Sequence, residues 1–113
     1  MNMKNIITVC ARLLQKEELK GQGFLTITTA AGIIHGIPVL ADYNGANLDE
    51  KLMIKILSDF CQSSAQNSLI GDEDVFMLRS VSIQQGDVFA KSHCILLRFD
   101  AILSVSISTS LPQ

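Results

Sequence analysis

The sequence has few charged residues and no long apolar run. Charged residues make up 18% of its 113 residues, against about a quarter in a typical globular domain. Hydrophobic residues make up 48%, which is too many for a disordered, highly charged segment, since such a segment lacks the apolar surface to offset the entropy of ordering. No run approaches the roughly 20 apolar residues that cross a bilayer, so we do not expect an integral membrane protein.

Clustered positive charge is also missing. Nine Lys and Arg stand against eleven Asp and Glu, a formal net charge of -2, and the cations are spread along the chain. Nucleic-acid binding draws most of its affinity from cations placed against phosphates, so this composition argues against it. If the fold does gather a basic patch near the strand ends, we expect it to use His35, Arg79, Lys91 and Arg98.

No arrangement typical of nucleophilic catalysis occurs. Cys10, Cys61 and Cys94 cannot all pair within one chain, and each lies among apolar neighbours, which favours reduced core thiols in a cytosolic protein. A thiolate assisted by His35 or His93 would need an exposed, electropositive setting. We therefore expect a protein that is not an enzyme.

Metal-binding residue types are present without the spacing that a metal site needs. They are His35, Cys61, His93, Cys94 and the acidic run Asp72–Asp74. Adjacent residues of a strand, such as His93 and Cys94, point to opposite faces. Neither a zinc-type spacing nor an EF-hand loop pattern occurs, so we expect no metal and no cofactor.

Two helices are predicted from apolar periodicity. The first covers residues 1–21, and the residues at helical spacing are Ile6, Val9, Cys10, Leu13 and Leu14. The second covers residues 47–62, where Asn47 precedes Glu50 by three residues in the arrangement of a capping box. Its predicted apolar face consists of Leu48, Leu52, Met53, Ile56, Leu57 and Phe60.

A strand hairpin is predicted over residues 24–40. Leu25 and Ile27 alternate with threonines, which is the period of a half-buried strand. Gly36 in the second strand indicates a bulge or a close approach of another backbone segment, and Pro38 removes a ladder donor. Together they predict that the second strand bends or lies at an edge for part of its length.

A strand meander is predicted over residues 75–108. From Ile95 to Ile107 the odd-numbered residues are apolar and are expected to share one face, with serines opposite. The fold class is therefore α+β: a small, five-stranded, strongly bent antiparallel sheet or a partly open barrel, with an N-terminal helix and a second helix inserted between strands 2 and 3. If the sheet stays open, both helices are expected on one face.

This layout resembles the Sm-like family of small barrels, which is related in shape to SH3-like barrels. The resemblance rests on the turn and second glycine in Thr29–Gly36, on Val81–Ile83 with the turn glycine Gly86, and on the paired strands 95–99 and 103–107. It implies assembly into rings or dimers, and it implies RNA binding as an alternative function.

Self-association is the main functional expectation. The two helices and the sheet present several apolar faces, and a small domain with few charges covers such faces poorly. We expect a cytosolic interaction or assembly module that forms a dimer or ring and binds a protein partner. The alternative is an Sm-like RNA-binding protein.

Overall fold

The computed structural model describes residues 2–16, 22–60, 68–72 and 74–109, with Phe60 described by its backbone alone. In chain order the elements are α1 (Met3–Leu14), β1 (Phe24–Thr29), β2 (Gly32–Pro38), α2 (Leu48–Phe60), β3 (Val75–Gln85), β4 (Val88–Arg98), a 3-10 helix (Phe99–Ala101) and β5 (Ser104–Ser108). This order confirms the α+β prediction, with five strands and α2 inserted between β2 and β3.

The five strands form one antiparallel sheet in the order β4-β3-β2-β1-β5. β4 and β5 lie at its two edges and do not pair with each other, so the sheet is open. β2 lies between β1 and β3, but its last two residues, Ile37 and Pro38, pair with β3 alone, which agrees with the predicted edge position for part of its length. Pro38 is the last residue of β2, where a missing N–H ends the ladder without interrupting it.

A β-bulge confirms the irregularity predicted at Gly36. The register passes from His35 opposite Ser82 to Ile37 opposite Arg79, so two residues of β3 stand opposite Gly36. One of them, Ser80, has a φ of 53°, and this left-handed conformation is typical of a bulge. The bulge shifts the side-chain alternation of β3 and so decides where Arg79 lies.

Helix α1 is shorter than predicted and buries a different stripe. Asn2 caps its start, since Oδ1 accepts the backbone N–H of Lys4 at 2.8 Å. The buried residues are Ile7, Ala11 and Leu14, whereas Val9 is 52% exposed. The helix ends at Leu14, and Gln15 and Lys16 lie outside it. The predicted extension to residue 21 is therefore wrong as far as residue 16.

The two helices pack on opposite faces of the sheet. Phe76 and Leu78 belong to the larger core cluster with α1, and Met77 between them belongs to a second cluster with Leu57 of α2. Alternate residues of a strand face opposite sides, so both faces of β3 are covered. The expectation that both helices share one face is wrong.

The alternation predicted from Ile95 onward holds only in part. Ile95 and Leu97 pack against the larger core, and Phe99 is buried with its ring stacked on Phe76 at 4.7 Å between centroids. Leu103, by contrast, is 69% exposed and Ile107 is 39% exposed. β5 is an edge strand of the sheet, and Leu103 directly precedes it.

Candidate functional site

Helix α2 carries an exposed apolar row that we call the α2 stripe. It consists of Leu48, Leu52 and Ile56, which are 70%, 50% and 50% exposed. Residues four apart lie one above the other on a helix, so the three side chains form one ridge. Only part of the predicted apolar face of α2 is therefore buried, and these three residues stay exposed.

The remaining apolar residues of α2 anchor the helix to the sheet. Leu57 is 4% exposed, and Met53 and Ile54 pack against the same small cluster, which includes Val39 and Met77. This anchoring side of the helix points away from the stripe. Neither described helix is long and apolar enough to cross a membrane.

A polar network fixes the first turn of α2. Oδ1 of Asn47 accepts the backbone N–H of Glu50 at 2.9 Å, which confirms the predicted cap. The Glu50 carboxylate is only 3% exposed and accepts three donors: the Tyr43 hydroxyl, the Ala46 backbone N–H at 3.2 Å and the Asn47 amide at 2.8 Å. A buried carboxylate with three donors is well satisfied.

The same turn contacts β4. The Cys94 thiol donates to the backbone carbonyl of Asp49 over 3.7 Å, and His93 Nε2 lies 3.9 Å from a carboxylate oxygen of Asp49. His93 Nδ1 is 3.3 Å from the Asn47 amide nitrogen. These contacts hold the beginning of α2 over the edge strand.

A cleft of about 450 Å³, which we call the Arg79 cleft, opens beside this network. Its walls are the end of α1, Gly23, β2, the loop after β2, and β3. The lining residues are Leu14, Gln15, Gly23, Ile37, Asp42, Tyr43, Asn44, Gly45, Ala46 and Arg79. The cleft therefore combines apolar walls with one cation, one acid and one aromatic ring.

Arg79 and Tyr43 form the polar side of the cleft. The guanidinium carbon of Arg79 lies 4.8 Å from the centroid of the Tyr43 ring, which is a cation–π contact. Burial raises the pKa of Tyr43, the hydrogen bond to Glu50 raises it further, and the positive charge of Arg79 opposes both effects. The tyrosine therefore stays protonated and donates to Glu50 at neutral pH.

The structure separates the four residues predicted as a nucleic-acid contact. His35 is 3% exposed in the middle of the sheet, where its Nδ1 lies 3.1 Å from the Thr26 hydroxyl and its Nε2 has no partner. Arg98 makes two hydrogen bonds to Asp100, at 3.0 and 2.7 Å. No basic patch forms from these residues.

The other two residues of that set lie in different places. Arg79 stacks on Tyr43 in the cleft. Lys91 is exposed on β4 opposite Ser82, which pairs in turn with His35. His35, Ser82 and Lys91 thus form one row across three strands, although the histidine of this row is covered.

The candidate thiols and metal ligands do not gather either. Cys10 and Cys94 are unpaired and half-buried, and burial raises the pKa of both thiols. Cys61 and Glu73 lie outside the described residues. No group of three or more His, Cys, Asp or Glu able to hold a metal occurs among the residues that are described.

Asp72 of the predicted acidic run stabilises a turn. Its Oδ1 accepts the backbone N–H groups of Asp74 and Val75 at 2.7 and 3.0 Å. These two hydrogen bonds hold the pKa of Asp72 below its ordinary value. Asp72 thus stabilises the turn that leads into β3.

Sequence reasoning missed the Tyr43–Glu50 pair and its connection to Arg79. One signal was available: Glu50 occupies the capping-box position, and the loop before it contains the single tyrosine of the chain. The arginine could not be connected to this pair, because its position depends on the bulge in β3.

Comparisons with known proteins add no information about function, so the proposals below are argued from the geometry alone. A scan against family models, a search of curated proteins and a search of solved structures each found no match.

Proposed function

We propose that this protein is a non-enzymatic interaction module that self-associates through the α2 stripe. The observation that carries the proposal is the exposure of Leu48, Leu52 and Ile56, at 70%, 50% and 50%. Contiguous apolar side chains on a surface helix lower the free energy of association when a second apolar surface covers them.

The charges around the stripe support a second copy of the chain as the partner. Asp49, Lys51, Lys55 and Asp59 are exposed on the same helix, so two cations and two acids surround the apolar centre. A polar rim around an apolar centre is typical of protein interfaces. Because the rim is balanced, two copies meet without an excess of like charge.

The size of the stripe indicates weak association. A standard interface buries about 800 Å² on each partner, and three partly exposed side chains supply only a part of that area. We therefore expect a two-fold dimer with a dissociation constant in the micromolar range. Binding of a further protein partner, a cytosolic location and the alternative of RNA binding stay predictions.

The test compares substitutions at two residues, one on each helix, whose side chains are about equally exposed. Leu52→Lys places a charge in the centre of the stripe, and Val9→Lys places one on α1, where Val9 is 52% exposed against 50% for Leu52. Size-exclusion chromatography with light scattering across the micromolar range should show a dimer for the wild type and for Val9→Lys. Leu52→Lys should be a monomer.

Two outcomes would contradict the proposal. One is a wild-type protein that stays monomeric throughout the micromolar range. The other is a dimer that Leu52→Lys leaves intact, which would assign the interface to another surface. Circular dichroism of both variants controls for loss of the fold.

A further inference from the structure

The Arg79 guanidinium stacks on Tyr43 and has no anionic partner among the residues that the structure describes. Among the described residues, Arg98 pairs with Asp100 and His93 lies near Asp49, but no carboxylate or hydrogen-bond acceptor pairs with Arg79. A guanidinium carries five N–H donors in a planar fork. At a cleft wall, these donors are available to a ligand.

Glu50, which contacts the same tyrosine as Arg79, already has three donors. Glu50 accepts from the Tyr43 hydroxyl, and two more donors keep it in the first turn of α2. This arrangement fixes the tyrosine ring, and the ring supports the guanidinium 4.8 Å from its centroid. Stacking thus preorganises the arginine, which lowers the entropic cost of binding an anion, and no described carboxylate neutralises it.

The cleft favours an anion of low charge with an apolar body. A guanidinium fork matches the two oxygens of a carboxylate in a bidentate pair. Leu14 and Ile37 provide apolar walls, whereas Asp42 places a negative charge on the lining. One cation beside one acid disfavours a dianion such as phosphate more than a monoanion.

We propose that the Arg79 cleft binds a small, partly apolar molecule through its carboxylate. Arg79 provides the bidentate pair, Tyr43 supports the arginine, and Leu14 and Ile37 contact the apolar part. The site does not depend on self-association, because none of the residues of the α2 stripe lines the cleft.

The chain contains its own reporter for a binding experiment. Tyr43 is the only tyrosine and tryptophan is absent, so intrinsic fluorescence reports on the cleft wall. Isovalerate serves as the probe, isovaleramide as the uncharged control of the same shape, and inorganic phosphate as the competing anion. Isovalerate should change the fluorescence saturably with millimolar affinity, the range expected for so small a ligand.

Three variants assign the site. Arg79→Gln should weaken isovalerate binding about tenfold or more through loss of the charge-assisted pair. Arg98→Gln, the matched change at an exposed arginine of β4, should leave it unchanged. Asp42→Asn should tighten binding several-fold by removing a like charge, and this variant keeps the test decisive if Arg79→Gln does not fold.

The proposal is overturned if the wild type gives no saturable response to isovalerate. It is equally overturned if isovaleramide or phosphate binds as tightly as isovalerate, or if Arg98→Gln weakens binding as much as Arg79→Gln does. Leu52→Lys should bind isovalerate like the wild type, so failure of the dimer and failure of the ligand site are separate results.

Discussion

The two helices of this protein use similar apolar content in opposite ways. α1 buries Ile7, Ala11 and Leu14 against one face of the sheet. α2 buries Leu57 fully, and the three residues of its stripe stay half-exposed or more. Apolar residues at helical spacing therefore do not all face the core, and the area of sheet available to each helix decides how many do.

The two helices also differ in the contacts that attach them to the rest of the fold. α1 covers the larger core cluster, and its cap is the hydrogen bond that the Lys4 backbone N–H donates to the exposed side chain of Asn2. α2 covers a smaller cluster, and the buried Glu50 network fixes its first turn. Apolar burial thus holds α1, whereas polar contacts supply a larger share of the attachment of α2.

The largest expected effect is loss of core packing under α1. Ile7 is fully buried, and Ile7→Ala should lower the free energy of unfolding by about 2 to 5 kcal/mol through lost burial and a cavity. Leu52→Ala is the matched change on α2 and should cost below about 1 kcal/mol in the monomer, because half of Leu52 is exposed. Urea unfolding at low protein concentration measures both, and similar losses would refute the contrast between the helices.

The next effect concerns the buried carboxylate. Glu50→Ala leaves the Tyr43 hydroxyl, the Ala46 N–H and the Asn47 amide without their acceptor. These donors are only partly buried, and an unsatisfied buried donor costs about 1 to 3 kcal/mol, so we expect a total loss of about 2 kcal/mol in urea unfolding. Asp49→Ala removes an exposed acid of the same turn and should change stability by less than about 0.5 kcal/mol. An equal effect of the two substitutions would contradict the network.

The two helix caps provide a smaller and more direct comparison. Asn47→Ala should cost about 1 to 2 kcal/mol, because Asn47 both caps α2 and donates to Glu50. Asn2→Ala should cost about 0.5 kcal/mol, the low end for an exposed cap. Thermal unfolding of the two variants measures the difference. A larger loss for Asn2→Ala would mean that the polar attachment is stronger in α1.

The smallest expected effect is a shift in the titration of the Tyr43 hydroxyl at alkaline pH. The folded pKa of Tyr43 is raised above the unfolded value of about 10, first by burial and then by Glu50. A raised pKa contributes stability that is complete below the unfolded value and is lost as pH rises through the folded one. Absorbance of tyrosinate, from this single tyrosine, should therefore titrate later than in the urea-unfolded chain. Glu50→Gln should bring the two titrations closer, and an unchanged titration would remove Glu50 as a cause.

Local features of the fold were predictable from neighbouring residues. Leu25 and Ile27 alternate with threonines and are fully buried in β1, and Asn47 caps α2 as its spacing with Glu50 predicts. The register irregularity at Gly36 also followed from the sequence. Each of these features depends on residues that are close together in the sequence, so a local sequence pattern is enough to predict it.

The placement of the two helices on the faces of the sheet was harder to predict from the sequence. The run Val75 to Leu78 is apolar at every position, which is typical of a strand covered on both faces, and this signal alone indicated helices on opposite sides. The meeting of Tyr43 with Arg79 depends on the bulge, the loop after β2 and the position of α2 together. No local pattern specifies such a juxtaposition.

Hydrogen exchange measured at two protein concentrations tests the central contrast most directly. If α2 is the interface, the amides of Leu48–Phe60 should exchange more slowly at the higher concentration, while those of α1 keep the same rate at both. Protection that rises with concentration in α1 and not in α2, or in neither helix, would contradict the account.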